Sequence, residues 1–212
     1  MQENNTVSIS NGNMKTGDIR SASVSPQGSC NPNLPCWDEC YANRMVRRWT
    51  SKTTGLTRSV AKSWANNLRI FNENPDEYFE QISKASAIDR YFRWHIGGDI
   101  VNTRYFEGMI DVANRNSGTS YLVFTKKYYI VNSYVDKHGI DSIPKNLIIL
   151  FSEWEGYPLV NPYEFPVVHC ILKGRSPEPD WKICGGSCMD CICRGVGCWE
   201  LKHGEHLGIY EH

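Results

Sequence analysis

Tyr91-Phe-Arg-Trp-His-Ile-Gly-Gly-Asp99 decides the fold. Its first six residues are dense in aromatic and β-branched side chains, which pack well on a pleated surface, and Gly97-Gly98 then breaks the run. Beyond it Tyr105, Phe106, Met109, Ile110 and Ala113 recur at intervals of three and four, placing them on one side of a helix. The stretch is therefore a strand, a glycine turn and a helix. Toward the C-terminus the alternation returns at Tyr121-Leu-Val-Phe-Thr125, followed by a helical Tyr129 to Val135, and at the almost wholly apolar Asn146-Leu-Ile-Ile-Leu-Phe151. Such runs suit parallel strands buried on both faces. A last strand, Pro166 to Leu172, leads into Lys173-Gly-Arg-Ser-Pro-Glu-Pro179, whose glycine and prolines mark a linker. Toward the N-terminus, Met14 to Ser25 reads as a strand stopped by Pro26-Gln-Gly28. From Tyr41 to about Arg90 the pattern is helical, with Val60, Trp64, Leu68 and Phe71 in register and Asn74-Pro75-Asp76-Glu77 capping a second helix. The expected fold is α/β, with parallel βα units whose sheet is open or closed into a partial barrel. Residues 1–172 form that unit and residues 173–212 a cysteine-rich tail packed on it.

The 212 residues, 41% hydrophobic, suffice for one core of ordinary size. Lys plus Arg and Asp plus Glu both total 23, so no net field attracts a polyanion or an anionic membrane, and any nucleic-acid contact has to be local. The basic series Arg44, Arg47, Arg48, Lys52, Arg58 and Lys62 reads as a solvated helix face or as such a local patch. Residues 1–13 are polar and lack the pattern of a signal peptide, and no run approaches the ~20 apolar residues that span a bilayer. A reducing cytoplasm, where free thiols persist, is the expected compartment.

Nine cysteines are an odd number, and eight of them fall in two groups. Cys30-x5-Cys36-x3-Cys40 lies in the loop after the first strand. Cys184-x3-Cys188-x2-Cys191-x1-Cys193-x4-Cys198 closes the chain. Parity, compartment and the tight Cys191-Ile-Cys193 step favour metal thiolates over disulfides. Three thiolates suit three corners of a [4Fe-4S] cluster whose fourth iron is open to a substrate or chelating cofactor. His95 is a possible fourth ligand, although a histidine in an aromatic strand equally suits a packed core position. The tail has more thiolates than one four-ligand centre uses. Cys184, Cys188, Cys191 and Cys198 are the favoured set, with Cys193 an alternative to Cys191 or Cys198. A four-cysteine zinc site fits the tail spacing as well as a cluster, and His203 or His206 could replace a thiolate there. Cys170, in an apolar strand, reads as an inert buried thiol.

In parallel α/β folds, ligands gather in the loops at the C-terminal ends of the strands. The first cysteine group, Gly97-Gly98-Asp99 and Thr125-Lys126-Lys127 all occupy such loops and are expected to converge. His95 and Lys126 are the candidate catalytic side chains, Lys126 as a contact for an anion or carboxylate, with Asp99 and Glu153 next.

Two resemblances follow. Asn11-Gly-Asn-Met-Lys-Thr-Gly-Asp18, Cys36-x3-Cys40-Tyr41-Ala42, Phe92-Arg-Trp-His-Ile-Gly-Gly-Asp99, Phe124-Thr-Lys-Lys-Tyr128, Asn146-Leu-Ile-Ile and Cys198-Trp199 resemble the blocks of the phage gene product 88 family. That resemblance implies a phage- or prophage-encoded intracellular protein. The three-cysteine loop after one strand and the Gly-Gly-acid turn after the next are similar to the radical S-adenosylmethionine enzymes. The likeness implies that Cys30, Cys36 and Cys40 hold a [4Fe-4S] cluster and that Gly97, Gly98 and Asp99 contact S-adenosylmethionine. Two departures stand against it: the spacing here is x5 and x3 instead of x3 and x2, and aromatics follow the second and third cysteines as Trp37 and Tyr41 instead of preceding the third.

The resulting expectation is an iron-sulfur enzyme that cleaves a bound sulfonium by one-electron reduction. Its tail centre would relay electrons or anchor substrate, and its electron donor would be a flavodoxin or ferredoxin. The alternatives are an iron-sulfur redox enzyme without S-adenosylmethionine and a zinc-stabilised module acting on a host protein or nucleic acid.

Overall fold

A computed structural model describes residues 4–50 and 59–211. Its centre is an open sheet of eight strands: β1 (Ile9–Ser10), β2 (Arg20–Ala22), β3 (Tyr91–Trp94), β4 (Ser120–Thr125), β5 (Leu147–Glu153), β6 (Val167–Ile171), β7 (Lys182–Ile183) and β8 (His206–Tyr210). In space the order is β1-β2-β3-β4-β5-β6-β8-β7, and every neighbouring pair is parallel except β1 with β2. The mostly parallel α/β architecture expected from the alternation of strands and helices is present. From β2 to β6 each strand lies beside the one before it in sequence.

The connections carry the helices α1 (Pro26–Ser29), α2 (Tyr41–Trp49), α3 (Ser59–Glu73), α4 (Pro75–Ser86), α5 (Thr103–Arg115) and α6 (Tyr128–His138), and the tail adds α7 (Cys188–Cys193). Short polar side chains start α4 and α5. Asn74 Oδ1 accepts the Glu77 N–H at 3.1 Å, and Asn102 Oδ1 accepts the Tyr105 N–H at 2.9 Å, each satisfying a donor with no partner inside its helix. Met14 to Asp18 is not strand: Asn13 Oδ1 accepts the N–H groups of Lys15 and Thr16 at 2.8 and 3.0 Å, closing a turn that confines β2 to three residues.

Side chains alternate across the sheet, and its two faces have different covers. Phe92, Trp94, Tyr121, Val123, Leu147, Ile149 and Phe151 face the helices, packing with Phe71, Tyr78, Phe79, Tyr105, Phe106 and Met109 in the larger core. The aromatic residues fill that core edge to face, as in Phe71–Tyr105 with ring centroids 4.8 Å apart and Phe79–Tyr105 at 5.2 Å. Leu122, Leu150, Val168 and Leu207 face the other way, into a smaller core completed by Trp199, Leu201, Cys184, Cys188, Met189, Ile192 and Cys198. The tail thus covers the face that the helices leave open. It also enters the sheet, since β8 pairs with β6 through five residues.

Candidate functional site

The loops following β2, β3 and β4 meet at one end of the sheet. Ser25 caps α1, Cys30 ends it, and Cys40 stands at the N-terminus of α2. Ser29 is buried between these loops: its hydroxyl donates to the Ser25 carbonyl at 2.8 Å, accepts the Asp99 N–H at 3.1 Å and lies 3.9 Å from Cys30 Sγ. Asp99 then carries the connection to β4. Its Oδ1 accepts from the Ile100 N–H at 2.7 Å and the Thr125 hydroxyl at 2.6 Å, and its Oδ2 accepts the Lys126 N–H at 2.9 Å. Lys126 Nζ crosses to Ser152 Oγ at 2.8 Å, at the end of β5, and stands 5.8 Å from the Trp154 ring centroid.

These contacts explain the electrostatics. Burial pushes the Cys30 thiol up to about 12, and the nearby Asp99 carboxylate adds to the shift. Burial also raises Cys36, while Lys126 pulls it back. Cys40 influences both thiols, so the three cysteines share one pocket of charge. Burial raises the Asp99 carboxyl against the pull of its three donors. Neutral buried thiols are poor ligands until a cation supplies the charge that favours thiolate.

Cys30, Cys36, Cys40, Asp99 and Lys126 therefore come together. Gly97 and Gly98 adjoin them for reasons of packing. A Cβ on Gly97 would lie 2.4 Å from the Trp64 ring, and Gly98, at φ +86°, would place one 2.4 Å from the Val24 carbonyl oxygen. Three donors already occupy the Asp99 carboxylate, and the Gly97 carbonyl accepts the Val24 N–H at 3.3 Å. His95 turns into the aromatic core. Its backbone is left-handed (φ +58°), its Nε2 lies 3.1 Å from the Tyr105 hydroxyl, its Nδ1 is buried without a partner, and burial lowers its pKa to about 3.

In the tail, Cys184, Cys188, Cys191 and Cys198 line one small pocket with Ser187, Gly197, Trp199 and Leu207. Cys193 is exposed. The Cys184 N–H donates to the Gly208 carbonyl at 2.9 Å, fixing that residue to β8, and the Cys188 N–H donates to the Lys15 carbonyl at 2.9 Å. Gly197 has φ +87°, and a Cβ there would come within 3.0 Å of Cys191 Cβ, so only glycine lets the last turn close over that thiol. Burial pushes Cys198 up to about 12, and the other three thiols act on it. Among the described residues no three His, Cys, Asp or Glu side chains converge closely enough to hold a metal ion as they stand.

His203 and His206 are not with the tail thiols. His203 Nδ1 lies 2.8 Å from the Tyr163 carbonyl oxygen. His206 projects from the helix-side face of β8, its Nδ1 2.8 Å from His169 Nε2, while His169 Nδ1 contacts Glu153 and its ring stacks on Trp181 at 3.8 Å. Alternation along β8 separates His206 from Leu207, which lines the thiol pocket. The sequence reading missed Ser29, Arg93, Ser152 and His169, and it named Glu153 and His206 without joining them through His169. Only Arg93 carried a signal, as a charged residue inside an aromatic strand. In the basic series, Arg47 pairs with Asp38 at 3.1 Å and Arg44 lies 3.8 Å from Glu39, which partly neutralises that face. Lys52 and Arg58 lie outside the described residues.

The sequence model of Gene product 88 matches residues 2–161, well over half of the chain. The chain belongs to the Gene product 88 family. The matched region holds the Cys30 loop, Gly97-Gly98-Asp99 and Thr125-Lys126-Lys127, and it ends before β6 and the tail, so the Cys198-Trp199 block lies outside it. No curated protein and no solved structure matches this chain. Among the described residues no helix of this Gene product 88 relative is long and apolar enough to cross a membrane.

Proposed function

We propose that the protein is an iron-sulfur enzyme with an open-coordination [4Fe-4S] cluster at Cys30, Cys36 and Cys40 and a second centre in the tail. The observation that carries this reading is the placement of three half-buried thiols, with Cys40 acting on both Cys30 and Cys36, at the C-terminal strand ends beside the Asp99 turn and Lys126. Three ligands leave one iron without a protein thiolate. Consecutive parallel strands, a cysteine loop after the first and a Gly-Gly-Asp turn after the second support a likeness to the radical S-adenosylmethionine enzymes in strand order, on a sheet that is open here. When loaded, such a centre supplies an electron to a chelated sulfonium such as S-adenosylmethionine, with a flavodoxin or ferredoxin as donor.

The chain's own residues would do the rest. Ser29 and Asp99 hold the Cys30 loop against the turn after β3, and Thr125 fixes Asp99 to β4. Lys126, whose Nζ donates to Ser152 Oγ, offers a cation to an anionic substrate group or to the Cys36 thiolate. The Gly98 backbone is the part of the glycine turn left to meet a cofactor, because the Asp99 carboxylate and the Gly97 N–H and carbonyl are occupied.

Anaerobic iron and sulfide analysis with electron paramagnetic resonance tests this, on the wild type and on a Cys30, Cys36, Cys40 triple alanine variant. The expected result is a brown protein with about four irons and four sulfides per cluster, one cluster being lost in the variant. A colourless protein holding only zinc overturns the reading. The cofactor is tested separately: reduced, iron-loaded protein that forms no 5′-deoxyadenosine from S-adenosylmethionine assigns the cluster to other redox chemistry.

A further inference from the structure

Arg93 lies on β3 between Phe92 and Trp94, which both face the helices, so its side chain takes the tail-covered face. There the guanidinium sits over the Phe124 ring, 4.5 Å from its centroid, with Nη1 3.9 Å from Cys188 Sγ. Nε is buried without an acceptor, and among the described residues no carboxylate pairs with this arginine. A guanidinium cannot shed its charge, so enclosing one without an anion is costly. Trp199, which lines the thiol pocket, also has a buried Nε1 without a partner. Two buried donors thus lack acceptors at the edge of a pocket lined by four cysteines, and an anionic centre held there would supply both acceptors and negative charge.

We propose that Arg93 is the fixed counter-charge of the tail centre, a positioning residue whose guanidinium stands against Cys188 in the metal-bearing set Cys184, Cys188, Cys191 and Cys198. This rests on the reading that the tail holds a metal centre. Arg93 reaches Cys188 from β3, so it acts on the tail centre without touching substrate.

The test is release of metal from the full chain to excess chelator, with the Cys30, Cys36, Cys40 triple alanine chain used to isolate the tail. In that background Arg93→Gln should speed release about tenfold or more, as loss of an outer-shell partner typically does. Arg93→Lys should stay near the parent rate because it keeps the charge. Equal release from the Gln and parent chains overturns the inference, as does Lys releasing as fast as Gln, which would assign the effect to shape. Thermal melts confirm folding, and Arg93→Met, also uncharged, gives the same comparison should the Gln chain fold poorly. A parent chain that carries no metal before chelator is added overturns the tail reading itself.

Discussion

The Thr125 hydroxyl donates to Asp99 Oδ1 at 2.6 Å, joining the end of β4 to the turn that follows β3. The same hydroxyl oxygen accepts the Lys127 N–H at 2.9 Å, so one side chain orders both loops. Thr125→Val keeps the shape, removes the hydroxyl and leaves a buried amide unpaired. It should cost about 1–3 kcal/mol. Asp99→Asn turns an amide donor toward one of the carboxylate's donors and should cost about as much. Urea unfolding at unchanged m-value measures both, and the double variant should lose less than the sum, because the two residues share one network. Additive losses would show that the two loops are held independently.

His95 makes stability depend on pH. Its folded pKa of about 3 lies below the ordinary 6.5 because burial disfavours the charged ring. Below pH ~6.5 the unfolded chain takes up a proton that the folded chain refuses, so stability is intact above that pH and declines by about 1.4 kcal/mol per unit as pH falls toward 3. The shift at His169, also downward from burial, has the same sign. His95→Gln should flatten the wild-type slope between pH 6.5 and 4, measured by urea unfolding. The difference between the two chains isolates His95 from Asp99, whose raised carboxyl pKa acts in the opposite sense. Parallel slopes would place the ring in solvent.

Gly98→Ala has no room. At φ +86° the new Cβ would lie 2.4 Å from the Val24 carbonyl oxygen and 2.8 Å from Ser29 Oγ, so strain passes directly to the residue before Cys30. The expected loss is on the order of 1–3 kcal/mol, with reduced iron in the first cysteine group. Gly118→Ala is the control, because a Cβ there meets nothing within 4 Å. Equal behaviour of the two variants in thermal melts would contradict the described turn.

The tail cysteines should separate by position. Cys193 is exposed, whereas Cys191 is buried in the thiol pocket. Cys193→Ala should leave metal content unchanged, and Cys191→Ala or Gly197→Ala should deplete the tail centre. Metal per chain by elemental analysis decides it, and depletion by Cys193→Ala would reassign the ligand set.

The alternation of strands and helices was legible because apolar periodicity is local: Tyr91 to Trp94, Tyr121 to Thr125 and Asn146 to Phe151 announce buried strands without reference to partners. The grouping of the cysteines was legible too, since ligands a few residues apart stay close in any compact fold. The loop after the Met14 to Ser25 run was placed correctly although the strand proved short, because Asn13 closes a turn that β-propensity does not register.

By itself, then, the sequence determined a mostly parallel α/β sheet with two separate groups of cysteines. Tertiary structure alone decided what each face of that sheet meets. The same alternation that makes β3 a strand sends Trp94 into the aromatic core and Arg93 toward Cys188, and a pattern of period two cannot say which side the tail will cover. Long-range pairing settles that. β8 docks on β6, so His206 is carried to His169 and Leu207 to the pocket of four cysteines, across 37 residues of chain that leave no periodic trace of the encounter.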